Sequence, residues 1–492
     1  MMSNKYILGI DQSTQGTKAL LFDNAGKILG RRDIPHEQIV NKLGWVEHSP
    51  IEIYKNTIAV VKKLIETLAI DKSAIAGVGV TNQRETAVIW DKNTGEPIYN
   101  AIVWQCARGA MICKRLEENA KFIHSRTGLN LSPYFTAAKI AWVLENVEGA
   151  KLKSDKGQLA YGTMDSWLIY KLTKGKSFKT DYSNASRTEI FNINELIWDK
   201  DICNLFGINL DCLPEVCDSD AHYGDTDFEG ILDRPVPIHG VMGDSHAALF
   251  GQRCIQKGMV KATYGTGSSI MMNIGEKPLF SKKGIVTSLA WGMNHKVEYV
   301  LEGNVNYAGA VISWLKNDLN LITNVTETEA LAYEANPADR TYLVPAFTGL
   351  GAPYWNSEAA AIICGMTRLT KKAELVKAAL DSIAYQITDI IKVMEDEAGL
   401  TLKELRVDGG PTRNQYLMQF QSDILNIPLR APDAEELSGI GAAYAAGIAM
   451  NLYDRENVFK NLQTKLYNPG MELNRREELY QGWKNAVNMI LK

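Results

Sequence analysis

Short apolar runs separated by polar, glycine-bearing turns open the chain. Residues 6–10 (YILGI) predict a strand, 11–17 (DQSTQGT) a hydroxyl-rich turn, and 18–23 (KALLFD) a second strand. After the Asn24-Ala25-Gly26 turn, 27–32 (KILGRR) predicts a third strand and completes a meander. The period then lengthens. Residues 51–68 predict an amphipathic helix, and the unbroken apolar run 74–80 (AIAGVGV) predicts a strand buried on both faces. Further helices are predicted at 133–146 and 163–172, with polar loops at 181–188 and 225–234. Near residue 255 the opening pattern returns. Strand 259–264 (MVKATY), turn 265–269 (GTGSS) and strands 270–274, 285–290 and 297–302 repeat it. Helices at 307–318, 371–397, 415–425 and 437–448, a strand at 404–408 and a Pro/Gly loop at 344–355 follow. Strand, hydroxyl–glycine turn, strand, used twice, predicts a duplicated α/β architecture with a cleft between the halves.

Composition narrows the class. A chain of 492 residues is too long for one core, so two large domains are expected. A hydrophobic fraction of 46%, a charged fraction of 22% and a net charge of −4 are ordinary, and they make nucleic acid an unexpected partner. The seven cysteines are scattered without a CxxC pair, which predicts reduced thiols and a cytoplasmic protein. The start of the chain reaches a strand pattern by Tyr6 without a signal-peptide layout. No apolar run reaches the roughly 18 residues that a membrane span needs.

The candidate chemistry centres on 240–251 (GVMGDSHAALFG), where an apolar strand and two glycines lead to the lone carboxylate Asp244. Two readings stand: a base acting on a hydroxyl, or a cap for the helix that follows. The turn with Asp11, Ser13, Thr14, Gly16, Thr17 and Lys18 suits phosphate, or is an ordinary polar hairpin. Arg84 and Glu85 follow a buried strand and could bind adjacent hydroxyls, or pair with each other at the surface. Trp104 is either the apolar wall of a polyol pocket or core, and Tyr134 could point its hydroxyl into a cleft. Three hydroxyl or glycine turns (11–18, 265–269, 409–414) with one lone acid fit phosphoryl transfer, which needs held phosphates, an aligned hydroxyl and a base. The patterns GxxxxGK[ST], HRD, GxGxxG after the first strand and GxSxG are absent, and no histidine has metal-ligand spacing.

The stretches GWVEHSP (44–50), TNQRET (81–86), NAIVWQCAR (100–108), YFTAAKIAWVLEN (134–146), TDYSNASRT (180–188), VPAFTGLGAPYW (344–355) and LRVDGG (405–410) carry a resemblance. Over residues 5–455 the chain resembles the FGGY family of carbohydrate kinases, in the sugar kinase–actin–Hsp70 superfamily, and most of all its glycerol-phosphorylating branch. The resemblance implies two actin-like (ribonuclease H-like) domains with an interdomain active-site cleft. Residues 1–253 would hold substrate and part of the phosphate site, and 254–492 the nucleotide. It implies Asp244 as catalytic base, with Arg84, Glu85, Tyr134 and Asp244 on the polyol hydroxyls and Trp104 on the carbons. Thr14 and Lys18 would meet the terminal phosphates, Lys18 replacing the family's Arg; Gln15 and Gly16 replace hydroxyl residues in that turn. Thr266, Gly309, Gly410 and Asn414 would contact the nucleotide, and Asp11 would hold Mg²⁺ through water. ATP and Mg²⁺ are the implied cofactors and a small polyol or sugar the partner, with a homodimer or homotetramer allowed. Residues 225–235 lack a match to the family's sugar-bisphosphate and histidine-phosphate responses, so neither control is expected. Where the branch carries Gln after the base this chain has Ser245, and where it carries a wall Phe this chain has Ser269. Losing that wall should weaken packing on a three-carbon acceptor by roughly 1–3 kcal/mol. Glycerol is the leading acceptor, with a four- or five-carbon polyol or ketose (erythritol, xylulose, ribulose) as the alternative; a non-catalytic nucleotide-dependent sensor is a third reading.

Overall fold

A computed structural model describes residues 5–491. Two large sheets organise it. The first holds β1 (Tyr6–Gln12), β2 (Gly16–Phe22), β3 (Ile28–Pro35), β4 (Ile75–Asn82), β5 (Asp225–Thr226) and β6 (Val236–Gly243), in the order β5-β6-β4-β1-β2-β3. The second holds β7 (Val260–Tyr264), β8 (Ser268–Gly275), β9 (Val286–Met293), β10 (Lys296–Val305), β11 (Leu405–Asp408), β12 (Leu429–Pro432) and β13 (Thr464–Tyr467), in the order β9-β10-β8-β7-β11-β12-β13.

The wiring is repeated. In the first sheet β1, β2 and β3 pair antiparallel, while β4 and β6 continue parallel on the other side of β1. In the second sheet β7, β8 and β10 pair antiparallel, and β11 and β12 continue parallel on the other side of β7. The duplicated meander is therefore present in both halves. The first polar turn is narrower than expected. Asp11 and Gln12 stay in β1, paired with Lys18 and Thr17 of β2, so only Ser13, Thr14 and Gln15 turn. Antiparallel pairing extends the ladder because each added residue satisfies a backbone donor and acceptor.

Helix α1 (Pro50–Leu68) starts on Ser49, whose hydroxyl accepts from the Glu52 amide at 3.2 Å, with Pro50 in its first turn. Its buried stripe Ile53, Val60, Val61 and Leu64 joins one core with Leu8, Ile10, Val78 and Val80 of the first sheet. Helices α2 (Thr136–Asn146), α3 (Asp244–Gly251), α4 (Gly309–Asn317) and α5 (Lys372–Ala398) fall on predicted segments, α3 as the small-residue helix after Asp244. The segment 181–188, expected as a polar loop, is instead buried, with a helical turn at Tyr182–Ala185 capped by Asp181. Its polar side chains are internal partners: Asn184 exchanges hydrogen bonds with Asn82, and the Ser183 hydroxyl accepts from the Gly243 amide at 2.9 Å.

Helix α6 (Leu437–Ala449) comes from the second half of the chain but lies on the first sheet, against β1, β4, β6 and α3. Small residues make this fit. A Cβ on Gly79 or Gly240 would run into the Ala442 carbonyl. Gly240 also has φ +64 and interrupts the β4–β6 register as a bulge, a conformation that glycine adopts without strain. No helix among the described residues is long and apolar enough to cross a membrane.

Candidate active site

Three strand ends meet at one edge of the first sheet. Asp11 and Gln12 lie in register with Thr81 and Asn82, and Gly243 lies in register with Asn82. The carboxyl ends of parallel strands are where α/β sheets place ligands. Past these ends the chain delivers Asp11, Arg84, Glu85 and Asp244 into one neighbourhood.

Asp244 is the first residue of α3, and Gly243 occupies the N-cap position, so the capping alternative is not what its carboxylate does. Oδ1 accepts from the Ser245 amide at 2.6 Å and lies 3.2 Å from Arg84 Nε. The Asp244 side chain is 34% exposed, against 2% for Glu85, so it is the more open of the two carboxylates. Gly243 makes room for this pairing, since a Cβ there would come within 2.6 Å of Arg84 Cγ. Ser245 follows on the same turn and is partly exposed.

Arg84 and Glu85 are buried, not a surface pair. Arg84 donates from both terminal nitrogens to the two oxygens of Glu302, each at 2.9 Å. Arg187 donates from Nε to Glu85 at 2.6 Å, and its Nη1 lies 3.0 Å from Glu302. Burial alone would push the Glu302 carboxyl up, but Arg187 and Arg84 outweigh it and hold it well below the usual carboxylate range. Glu302 comes from β10 of the second sheet, so the base of the site is made by both halves.

Trp104 and Tyr134 form the aromatic side. Their rings meet edge to face at 5.5 Å between centroids. The bend that presents Tyr134 is fixed from behind by Lys139, which donates to the carbonyls of Pro133 (2.9 Å), Tyr134 and Phe135 (3.0 Å). Burial pushes the Lys139 ammonium down to about 7. Trp104 is only partly buried, and its indole N–H donates to the Thr14 hydroxyl at 3.0 Å. This bond joins the aromatic wall to the 13–15 turn.

On the phosphate-like side, Lys18 donates to Glu436 at 2.8 Å and lies 3.7 Å from Asp11. Arg31 also pairs with Glu436. Burial raises the Asp11 carboxyl to about 6, with Lys18 opposing that rise. Gln15 is exposed at the tip of the turn, and the Gly16 carbonyl accepts from Ser13. In the second half, the Gly309 amide that opens α4 donates to the Gly265 carbonyl at 2.8 Å, and the Ala308 amide to Thr266 at 3.0 Å. Thr266, Gly409 and Gly410 are exposed. A cavity of about 340 Å³ lies against Gly409. Asn414 caps its own helix, accepting from the Leu417 amide at 3.0 Å and donating to Thr328 at 3.1 Å.

The donor set fits a magnesium nucleotide. No group of three or more candidate metal ligands is found among the described residues, and Asp11 is a buried carboxylate 3.7 Å from Lys18. Mg²⁺ keeps most of its waters and uses one or two carboxylates plus phosphate oxygens, so a protein-built cage is not required. Exposed glycine backbone at Gly265, Gly409 and Gly410 in the second half, with partly exposed Gly16 in the first, offers close approach to phosphate.

A buried two-sheet fold with these strand-end groups is that of an ATP-dependent sugar or polyol kinase. Residues 6–251 match the model for the FGGY family of carbohydrate kinases, N-terminal domain, and 260–450 that for the C-terminal domain, so the chain belongs to this family, with its actin-like fold. Among its relatives, a glycerol kinase of Alkaliphilus oremlandii is 47% identical across 99% of this chain and 98% of its own length. Glycerol kinase 2 of Thermotoga maritima is 47% identical across 99% of both. The solved Plasmodium falciparum glycerol kinase with ADP superposes with a TM-score of 0.94 at 36% identity, over 99% of this chain and 98% of that one. A xylulose kinase of Lactobacillus acidophilus has a TM-score of 0.88 at 21% identity, a likeness of fold, over 99% and 97% of the two chains.

Four residues of this neighbourhood escape sequence reasoning: Arg187, Glu302, Glu436 and Arg31. Glu302 did carry a signal, because an acid inside the apolar run Tyr299-Val300-Leu301 needs a buried partner.

Proposed function

We propose that this kinase transfers the terminal phosphoryl group of ATP to a terminal hydroxyl of glycerol. Residues 1–253 would hold the acceptor and part of the phosphate site, and 254–492 the nucleotide. The observation that carries the reading is the partly open Asp244 carboxylate 3.2 Å from Arg84, at the same sheet edge as Glu85 and Asp11. Full-length glycerol kinases 47% identical to this chain support glycerol as the acceptor.

Arg84 donates to the acceptor hydroxyls and Glu85 accepts from them, while Trp104 and Tyr134 close the carbon side. Asp244 accepts the proton of the attacking hydroxyl as the hydroxyl oxygen bonds to the terminal phosphorus of ATP and the bond from that phosphorus to the bridging oxygen breaks, releasing ADP. Ser245 borders the acceptor. Bound ATP with Mg²⁺ supplies the phosphoryl group and the neutralising charge. Thr14, Gln15, Gly16 and Lys18 would hold the terminal phosphates, Thr266, Gly309, Gly410 and Asn414 the rest of the nucleotide, and Asp11 the metal. Lys18 must exchange Glu436 for phosphate to do so. Seven cysteines without a disulfide support a cytoplasmic setting.

A second reading is favoured by Ser245 and Ser269, small hydroxylated residues at two positions bordering the acceptor. They suit a four- or five-carbon polyol or ketose. Steady-state kinetics with ATP and Mg²⁺ against glycerol, erythritol, xylulose and ribulose separate the two. Best kcat/KM on glycerol supports the first reading, best kcat/KM on a longer acceptor the second. No turnover with any of them rejects both.

A further inference from the structure

Glu302 stands behind Arg84, the proposed acceptor-holding group, and takes both of its terminal nitrogens. It stands in β10 between Leu301 and Gly303, with Met271 as its register partner in β8 and Val286 in β9. Its side chain is 0% exposed. An isolated carboxylate in such a position is strongly disfavoured, so its two arginines are a structural requirement. Arg84 meets it through the two-point fork that fixes both the distance and the plane of a guanidinium. Arg187 closes the set from the other side, 3.0 Å from Glu302 and 2.6 Å from Glu85, with its guanidinium over the Phe135 ring at 5.1 Å. The Ser269 hydroxyl donates to Glu302 at 3.4 Å.

Charge and orientation follow together. With both terminal nitrogens of Arg84 turned to Glu302, its Nε edge is left toward Asp244 and the cleft. Two arginines and two glutamates cancel, so the open charge of the site is the carboxylate of Asp244. Lys261, buried on β7, donates to the Thr263 hydroxyl at 2.7 Å, and the nearby Asp408 carboxylate offsets its charge in part. A neutral polyhydroxy acceptor meets no unpaired cation there, and an anionic one meets a carboxylate.

We propose that Glu302 is a positioning residue supplied by the second half of the chain, which orients Arg84 and spends its charge so that the site selects neutral acceptors over carboxylated ones. The proposal rests on Arg84 and Asp244 being the acceptor-holding groups. It differs from that reading in assigning selectivity to a residue that never touches the acceptor.

The test compares Glu302→Gln, Glu302→Asp and Arg84→Gln with the unmodified full chain, with glycerol as acceptor and glycerate as a competitive inhibitor. For Glu302→Gln the glycerol KM should rise about tenfold or more, as expected for misplacing an orienting group, while the ATP KM stays within about twofold. The glycerate Ki should fall relative to the glycerol KM by about tenfold, because Arg84 regains an uncompensated charge. Glu302→Asp keeps the charge, so it should raise the glycerol KM while keeping glycerate excluded. A purely structural Glu302 would impair both ligands alike and leave their ratio unmoved. A folded Glu302→Gln protein with unchanged glycerol KM and unchanged ratio overturns the proposal. If Glu302→Gln does not fold, an unchanged glycerol KM in Glu302→Asp overturns it instead. Arg84→Gln with an unchanged glycerol KM would reject the acceptor-site reading itself; a raised KM there beside a silent Glu302→Gln rejects only the selectivity proposal.

Discussion

Two clusters of charge join the first half of the chain to the second, and their burial sets them apart. Arg84, Glu85, Arg187 and Glu302 have side chains no more than 6% exposed. Farther out Lys18 lies between Asp11 and Glu436, and Arg31 also meets Glu436; these acids are 6% and 9% exposed, but Lys18 is 27% and Arg31 40% exposed. In the first cluster every partner is shut off from water, so no member can change partners without leaving a bare charge behind. In the second, water reaches the cations but not their carboxylates, so Lys18 is free to trade a carboxylate for a phosphate. Orientation of an acceptor calls for the first kind of cluster, and capture and release of a nucleotide for the second.

The largest effect should come from Asp244, the open member next to the buried set. Asp244→Asn removes the proton acceptor while preserving shape, and kcat should fall about 10²–10⁴-fold with ATP affinity retained. Titration with a fluorescent ATP analogue beside a turnover assay checks both halves of the statement; unimpaired turnover would remove Asp244 from the chemistry. The clusters themselves are compared by unfolding in denaturant. Glu302→Ala should cost about 3–5 kcal/mol, because it strands two buried cations. Glu436→Ala should cost under about 1 kcal/mol. Equal losses would mean that burial does not distinguish the two clusters. A smaller effect is expected for Trp104→Phe, which keeps a ring beside Tyr134 but deletes the donor to Thr14. One neutral hydrogen bond of about 0.5–1.5 kcal/mol predicts a loss of roughly two- to tenfold in kcat/KM.

Asp165 tests the logic from a third direction. Like Glu302 it is a buried carboxylate, but its partners are the Thr163 and Thr180 hydroxyls, at 2.5 and 2.7 Å, and not a cation. Burial, with help from Asp181, pushes it up to about 7. The folded protein therefore binds this proton more tightly than the unfolded chain does. The associated stability is complete below the ordinary value near 3.8 and is lost as pH rises through about 7. Asp165→Asn should flatten the decline in Tm of the parent protein between those limits, and parallel Tm curves for the two would contradict this assignment.

Much of this arrangement was legible in the chain because it depends on local pattern. The two meanders follow from short apolar runs broken by turns, and α1 and α5 from apolar positions at helical spacing. Asp244 stood out because two glycines and a strand lead straight to it. The 180–188 stretch misled for a physical reason: TDYSNASRT has the composition of a solvated loop, yet Ser183, Asn184 and Arg187 spend their polar groups on Gly243, Asn82 and Glu85. Polarity reports that partners are required, not whether water or protein provides them. Contacts such as Lys18 with Glu436 join residues 418 positions apart, and no periodicity encodes them. The strand character of Asp11 and Gly16 was missed because a polar turn and a polar strand end look alike until pairing is known.

Helix α6 carries a consequence for the order in which the molecule can be made. The face of the first sheet that it covers includes Ile7, Leu20, Phe22 and Met242, which share a buried cluster with Leu437 and Ile440. A ribosome adding about 5–20 residues per second emits the last strand of that sheet roughly 10–40 seconds before residue 449. Through that interval the apolar face made by Ile7, Leu20, Phe22 and Met242 waits for its covering helix, so the burial of this face is complete only when the second half of the chain has been made.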